Sequence, residues 1–196
     1  MEEIITNAEK ELRKVEFVDL GLPSGRLWAT CNVGAEKPTD SGSYFAWGAI
    51  EPYNPYNCNT NDYKNTEVSQ LTEINDAAKI ARGDNWRMPT LTDFAELIDF
   101  CNYYYEEIDG VSCGVFSSKV NDNKLIMPTA GYVSGRSLKG CGNIGYYWSR
   151  SSNSEFRAWS LSFNSNLLLV CTDSHYCGFP IRPVCEFTFQ IVSINN

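Results

Sequence analysis

Ala158-Trp159-Ser160-Leu161-Ser162-Phe163, then Asn164-Ser165-Asn166, then Leu167-Leu168-Leu169-Val170-Cys171-Thr172 is the run on which the reading of this chain turns. Successive side chains of a strand point to opposite faces. Trp159, Leu161 and Phe163 therefore share one face, leaving Ser160 and Ser162 on the other. The polar Asn-Ser-Asn break predicts a hairpin turn, beyond which Leu168 and Val170 continue the inward face. Leu167, Leu169 and Cys171 then point outward, where neighbouring apolar side chains are costly unless they serve a partner. Tyr146-Tyr147-Trp148-Ser149 predicts an adjoining strand. Trp148, Trp159, Leu161, Phe163, Val170, Gly178, Phe179 and Val184 read as a frame. Set between them are residues that follow no packing rule: Phe156, Arg157 and the run Cys171-Thr172-Asp173-Ser174-His175-Tyr176-Cys177. A β-rich frame with chemically arbitrary insertions points to recognition, because catalysis needs particular groups and binding needs only a matched patch.

The rest of the chain limits what that surface can do. A length of 196 residues suits one well-buried domain. A net charge of −8 and a pI near 4.7 disfavour nucleic-acid backbones and anionic membranes, which attract basic surfaces. Met1-Glu2-Glu3 is an acidic start, and no apolar run follows that could act as a signal peptide or a membrane span. The expectation is cytoplasmic synthesis, no membrane insertion and reduced thiols. The eight cysteines form no Cys-x-x-Cys pair, and with a single histidine a structural zinc site is not expected.

Residues 2–14 predict a short amphipathic helix with Ile4, Ile5, Ala8 and Leu12 on one face. The main domain then spans residues 15–196. Strands are predicted at 15–20 and 26–30, a loop at 52–66, and a helix at 72–82 with Ile74, Ala77, Ala78 and Ala81 on a shared side. A second helix, capped by Thr90 or Thr92, runs to Cys101 and buries Phe94, Leu97, Ile98 and Cys101. Further strands are predicted at 124–133, 146–151, 158–163, 167–172 and 178–189. Two helices followed by a strand-dense half give an α+β domain with short, mainly antiparallel sheets.

Two resemblances sharpen this. Trp148-Ser149, Ala158 to Phe163, the Asn164-Ser165-Asn166 turn and Arg182-Pro183-Val184 resemble the C-terminal variable region of diversity-generating retroelement proteins. There, adenines of asparagine codons in a template copy are randomised, and such codons cannot yield Trp, Met, Lys, Gln or Glu. Residues 160–185 contain none of these five types, which number 32 of 196 chain-wide, so about four would be expected by chance. Val18-Asp19-Leu20-Gly21-Leu22-Pro23-Ser24-Gly25, Leu27-Trp28-Ala29-Thr30, Tyr44-Phe45-Ala46-Trp47-Gly48 and Trp86-Arg87-Met88-Pro89-Thr90 resemble a paralogous family of gut bacteria and their phages. That family is similar to the formylglycine-generating-enzyme branch of the C-type lectin fold. The resemblances imply a C-type lectin-like domain with a variable ligand-binding region at about 146–184, displayed on a phage particle or a bacterial surface. The alternative is an invariant C-type-lectin-like domain with a structural or carbohydrate-binding role.

Catalytic and metal chemistries fit less well. The related oxidases need a paired active-site thiolate arrangement, and the surroundings of Cys171, His175 and Cys177 do not resemble it. Glu51-Pro52-Tyr53 only partly matches a calcium-lectin loop, and Trp159 is followed by Ser160 rather than by a carboxylate or amide. Gly140-Cys141-Gly142-Asn143-Ile144-Gly145 lacks the strand-helix context of a nucleotide loop and predicts a turn. Glu106, Glu107 and Asp109 read as a solvated acidic loop after the second helix. The expected function is therefore noncovalent recognition, with no catalytic residue, no metal and no cofactor. The candidate surface comprises Tyr146, Phe156, Arg157, Ser160, Ser162, Leu167, Leu169, Cys171, Thr172, Asp173, Ser174, His175, Tyr176 and Cys177. A protein ligand is favoured over a glycan, with the ligand's identity and the oligomeric state left open.

Overall fold

The hairpin at 158–172 forms as its alternation requires, and the two larger hydrophobic cores of the described residues draw on it. The computed structural model describes residues 17–54 and 69–185. The helix expected at 2–14, most of the loop at 52–66 and the end of the strand at 178–189 lie outside the described residues. In chain order the elements are β1 (Phe17–Asp19), β2 (Leu27–Ala29), a 3-10 turn (Glu73–Asn75), α1 (Ala77–Arg82), β3 (Trp86–Arg87) and α2 (Leu91–Phe100). Then follow β4 (Cys101–Ile108), β5 (Val111–Ser118), β6 (Lys124–Pro128), β7 (Tyr132–Ser134), β8 (Ser137–Lys139), β9 (Gly145–Ser154), β10 (Arg157–Asn164), β11 (Leu167–Ser174) and β12 (Val184–Cys185). The sheets are ordered β1-β2-β12-β3, β11-β10-β9, β4-β5-β6 and β7-β8, and their strands pair antiparallel. Among the described residues this is a mixed α+β architecture with two α-helices.

Sheet β9–β10–β11 is the middle layer. One face carries Tyr147, Leu161 and Phe163 into a cluster with Trp28, Phe94, Leu97, Phe116, Met127 and Val184, against which Leu168 and Val170 pack. The other face sends Trp148 and Ala158 into a second cluster with Phe45, Trp47, Met88, Phe179 and Ile181. Adjacent residues Tyr147 and Trp148 thus serve different cores. Phe163 lies flat against Gly145 and Gly114, where an added Cβ would fall well inside contact distance of its ring. The glycine that ends the 140–145 turn is therefore a packing requirement, consistent with the turn expected there.

The two helices begin where a buried aspartate receives backbone donors. Thr90 caps α2, its Oγ1 accepting from Asp93 N–H (3.1 Å) while the Asp93 carboxylate accepts from Thr90 N–H (2.6 Å). Arg87 and Arg26 also donate to Asp93, at 2.7 and 3.1 Å. Burial opposes ionisation of Asp93, but the Arg87 hydrogen bond and charge together with the Thr90 bonds prevail and lower its pKa. Phe94, Leu97 and Cys101 are buried as expected, with Ile98 only partly so.

The first helix departs from expectation. Asp76 is extended and accepts from Ala78, Lys79 and Met88 N–H, so the α-helix starts at Ala77 and a 3-10 turn precedes it. Ala77 and Ala78 are buried, whereas Ile74 is 76% exposed and Ala81 faces solvent. Three further corrections concern strands. Glu106 and Glu107 lie within β4 and Asp109 in the β4–β5 turn, because the chain passes directly from α2 into a long hairpin. The stretch at 124–133 is two strands separated by residues 129–131. Among the described residues of the stretch from 178, only Val184–Cys185 form a strand, between β2 and β3, while Phe179 bridges Phe45.

Arg182 holds that closing segment in place. It is fully buried, donating from Nε to Asn32 Oδ1 (2.8 Å) and from Nη1 to the carbonyls of Ala29 (3.1 Å) and Thr30 (2.5 Å). Burial lowers its pKa to about 10, which leaves the guanidinium charged at neutral pH. Asn32 donates onward to the Tyr147 hydroxyl (3.4 Å), which in turn donates to Pro128 O (2.8 Å). The knot joins β2, β6 and β9 to the segment entering β12.

Candidate ligand-binding surface

Six of the candidate residues meet at one place. Tyr146 of β9, Arg157 of β10, Asp173 and Ser174 of β11, and Tyr176 and Cys177 just beyond it line an open cleft of about 260 Å³. Tyr132, Ser134 and Phe179 complete the lining. Strand pairing creates the convergence, since Ser162 lies between Tyr146 and Leu169, and Ser160 between Trp148 and Cys171. The aromatic wall is self-supporting: Tyr132 meets Tyr146 and Phe179 edge-on, at 5.2 and 6.1 Å between centroids. Phe179 stacks beneath on Trp148 at 4.1 Å. Burial raises the Tyr146 phenol's pKa, partly offset by a hydrogen bond with Ser162, so it remains a neutral hydroxyl at physiological pH.

The polar side of the cleft is organised around Asp173. Ser160 Oγ donates to Asp173 Oδ2 at 2.6 Å, and the Cys171 thiol does so at 3.4 Å. Burial, reinforced by the Asp173 carboxylate and opposed by the Ser160 hydrogen bond, pushes the Cys171 thiol up to about 11. Cys171 is thus a neutral thiol at pH 7 and a poor nucleophile. Arg157 reaches across the hairpin, donating from Nε to Thr172 Oγ1 (3.1 Å) and from Nη2 to Thr172 O. The guanidinium is held at the rim by backbone and hydroxyl rather than by a carboxylate partner.

Phe156, Arg157, Leu167 and Tyr176 are exposed, and Tyr146, Leu169, Cys171, Thr172, Asp173, Ser174 and Cys177 are partly buried. Leu169 and Cys171 lie opposite to Leu168 and Val170, as the alternation predicts. Thr172 falls on the Trp159 face instead of the cleft face. Ser160, Ser162 and His175 are buried, at 0%, 2% and 2% exposure, against the expectation of outward positions. The reason is that the second core covers the other face of β10, so its small hydroxyl residues sit beneath Tyr146 and Asp173. His175 stacks on Trp47 at 4.2 Å between centroids, and its carbonyl accepts from Trp47 N–H at 2.9 Å. It belongs to the interior. Trp159 and Val170, expected inside, are only partly buried.

Tyr132 and Ser134 carry no local signal that marks them. They come from the short β7–β8 hairpin, which Val133 ties to Gly178 through reciprocal hydrogen bonds of 2.8 Å. Among the described residues, no three His, Cys, Asp or Glu side chains group so as to hold a metal ion. No helix there is long and apolar enough to cross a membrane.

A family model described as a domain of unknown function (DUF8237) matches residues 107–184, from the end of β4 to the start of β12. The match covers the cleft-lining segments together with the hairpins beneath them. No curated protein and no solved structure matches the chain.

Proposed function

We propose that this protein is a noncovalent recognition module whose variable region, residues 146–184, presents ligand-contacting side chains on a rigid scaffold. The observation that carries the reading is the convergence of Tyr146, Arg157, Asp173, Ser174, Tyr176 and Cys177 on one open cleft. These residues come from three strands and a turn, yet they surround a single concavity above a sheet that sends core residues from both faces. Such a support loses little entropy on binding and tolerates side-chain replacement at its rim. In this reading the scaffold is a C-type lectin-like fold and the diversity arises from a retroelement. What supports the fold is the pair of helices with short antiparallel sheets, together with the sequence phrases at 18–30, 44–48 and 86–90. What supports the diversification is the absence of Trp, Met, Lys, Gln and Glu from residues 160–185. The display positions are drawn without Ser160, Ser162 and His175, whose burial makes them part of the support.

The test is the DNA of the locus together with binding by rim variants. The reading expects a nearby reverse transcriptase gene and a near-repeat of codons 146–184 differing only at adenines, with differences at the cleft positions. A library randomised at Tyr146, Phe156, Arg157, Asp173 and Tyr176 should stay folded and yield binders to an immobilised test protein. Differences concentrated at Trp148, Leu161 and Phe163, or a library that does not fold, would refute it.

A further inference from the structure

The sheet β9–β10–β11 has two outer edges, and they are finished differently. Along β9 the outward backbone groups are occupied. Trp148 N–H donates to Pro180 O (3.2 Å), Arg150 N–H to Pro89 O (2.7 Å) and Ser152 N–H to Ser69 O (2.9 Å), while Arg150 O accepts from Leu71 N–H (2.9 Å). Because Trp148 bonds outward, its cross-strand partner Ser160 directs its own backbone groups towards β11. Ser160 pairs with Cys171, so Leu167, Leu169, Cys171 and Asp173 bond inward to β10. The two-residue turn closing on Asn164 and Leu167 agrees with this phase.

Leu168, Val170 and Thr172 therefore direct their N–H and C=O groups away from the sheet. The Arg157 guanidinium takes Thr172 O. The N–H and C=O of Leu168 and Val170 and the N–H of Thr172 have no backbone partner among the described residues. Exposed edges are ordinarily blunted by lysine, proline or a bulge. β11 contains no Lys, Arg or Pro, and its register with β10 runs unbroken over eight pairs. The β9–β10 pairing, by contrast, shifts register twice. The other long edge strand, β4, carries the exposed charges of Glu106 and Glu107.

We infer that β11 is a docking edge for an extended peptide segment of a protein partner, which adds as a fourth strand beside β11, on the side away from β10. The occupant's chemistry follows from the edge: a polypeptide backbone supplies donors and acceptors in the alternating repeat that Leu168, Val170 and Thr172 present, and a saccharide does not. A second copy of this chain is opposed by the charge of −8 on each molecule. The inference rests on reading this side of the protein as a recognition surface, because the edge runs into the cleft at Asp173 and Ser174. Main-chain bonds to the edge then provide affinity, and cleft side chains choose among sequences.

Panning phage-displayed random linear peptides against the full chain supplies the probe. In the free chain the amides of Leu168, Val170 and Thr172 should exchange rapidly with solvent. A selected peptide should slow all three by at least about tenfold. N-methylation at alternate peptide positions, which deletes edge-bonding donors, should weaken binding by about tenfold, and at the intervening positions by less than about twofold. Failure to select any peptide, tolerance of N-methylation throughout, or unchanged exchange at the three amides would overturn the inference. So would protection without peptide in a chain that sediments as a dimer, since the edge would then be occupied by a second copy. Peptides lost on Tyr176→Asn or Arg157→Ala that leave the three amides unprotected would discard the edge and keep the cleft. Peptides indifferent to both would discard the recognition reading as well.

Discussion

Both β9 and β11 pair with β10 along much of its length, but their side chains meet different surroundings. On β9, Tyr147 and Trp148 are each wholly buried, one in each core, and the strand's outer backbone groups are bonded to residues 69–71, Pro89 and Pro180. On β11 no residue is buried: Leu168 and Val170 only lean on the first core, while Leu169, Cys171 and Asp173 border the cleft face. Position beside the same central strand therefore does not decide whether a residue belongs to frame or surface. What decides it is whether a loop passes over the strand's far side. β9 has such cover and β11 has none among the described residues.

The sharpest way to break this contrast is Trp148→Ala, which removes a buried ring stacked on Phe179 and an Nε1 bond to Phe45 O of 2.9 Å. It should cost about 3–5 kcal/mol by urea denaturation. A much smaller loss would mean that β9 is not the frame.

Asp93→Asn tests the polar part of the same frame and should cost about 1.5–3 kcal/mol at pH 7, since it weakens charge-assisted bonds. The sign with pH follows from linkage. The folded pKa of Asp93 is lowered, so its contribution is present above the unfolded carboxylate value and is lost as pH falls through the folded one. Chemical denaturation from pH 7 into the acid range should show a shallower loss for Asp93→Asn than for the native chain. An identical acid limb would remove Asp93 from the account.

Trp159→Ala sharpens the comparison from within β10. Because Trp159 is only partly buried, its loss should be about 1–2 kcal/mol, well short of Trp148→Ala. Equality of the two in the same denaturation series would put Trp159 in the core. On the exposed side, Phe156→Ser and Tyr176→Asn should each change stability by less than about 0.5 kcal/mol. Losses approaching that of Trp148→Ala would make the cleft rim structural. The smallest effect concerns reactivity: alkylation at pH 8 should label exposed Cys141 well before Cys171, whose thiol is pushed up to about 11 by burial. Rapid labelling of Cys171, read by peptide mass mapping, would reopen nucleophilic chemistry at the cleft.

Much of the β10–β11 hairpin is legible in the amino-acid sequence. The alternation in 158–172 and the Asn164-Ser165-Asn166 break place the turn and the opposite faces of Leu168 and Leu169, because pleat and turn chemistry are local. The threonine before 91–100 marks the start of α2 for the same reason. The break at Asp76 is hidden, since Met88, twelve residues on, helps hold that carboxylate in a non-helical backbone. The β4 strand is hidden as well: Tyr103-Tyr104-Tyr105-Glu106-Glu107 is polar enough to read as a loop until β5 pairs with it.

Ser160 and Ser162 show where local reading ends. Small hydroxyl residues alternating with Leu161 and Phe163 indicate an outward face, and the alternation itself is correct. Whether that face meets water depends on Trp148, Phe179 and Ile181, which arrive from elsewhere in the chain to build a second core. Tyr132 enters the cleft in the same way, through the hydrogen bonds of Val133 with Gly178, and the bare edge of β11 exists only because no described segment crosses it as 69–71 and Pro180 cross β9. Strand phase is set by neighbouring residues along the backbone, and so the amino-acid order specified it. Cover is set by which distant segments pack together, and only the folded chain decided that.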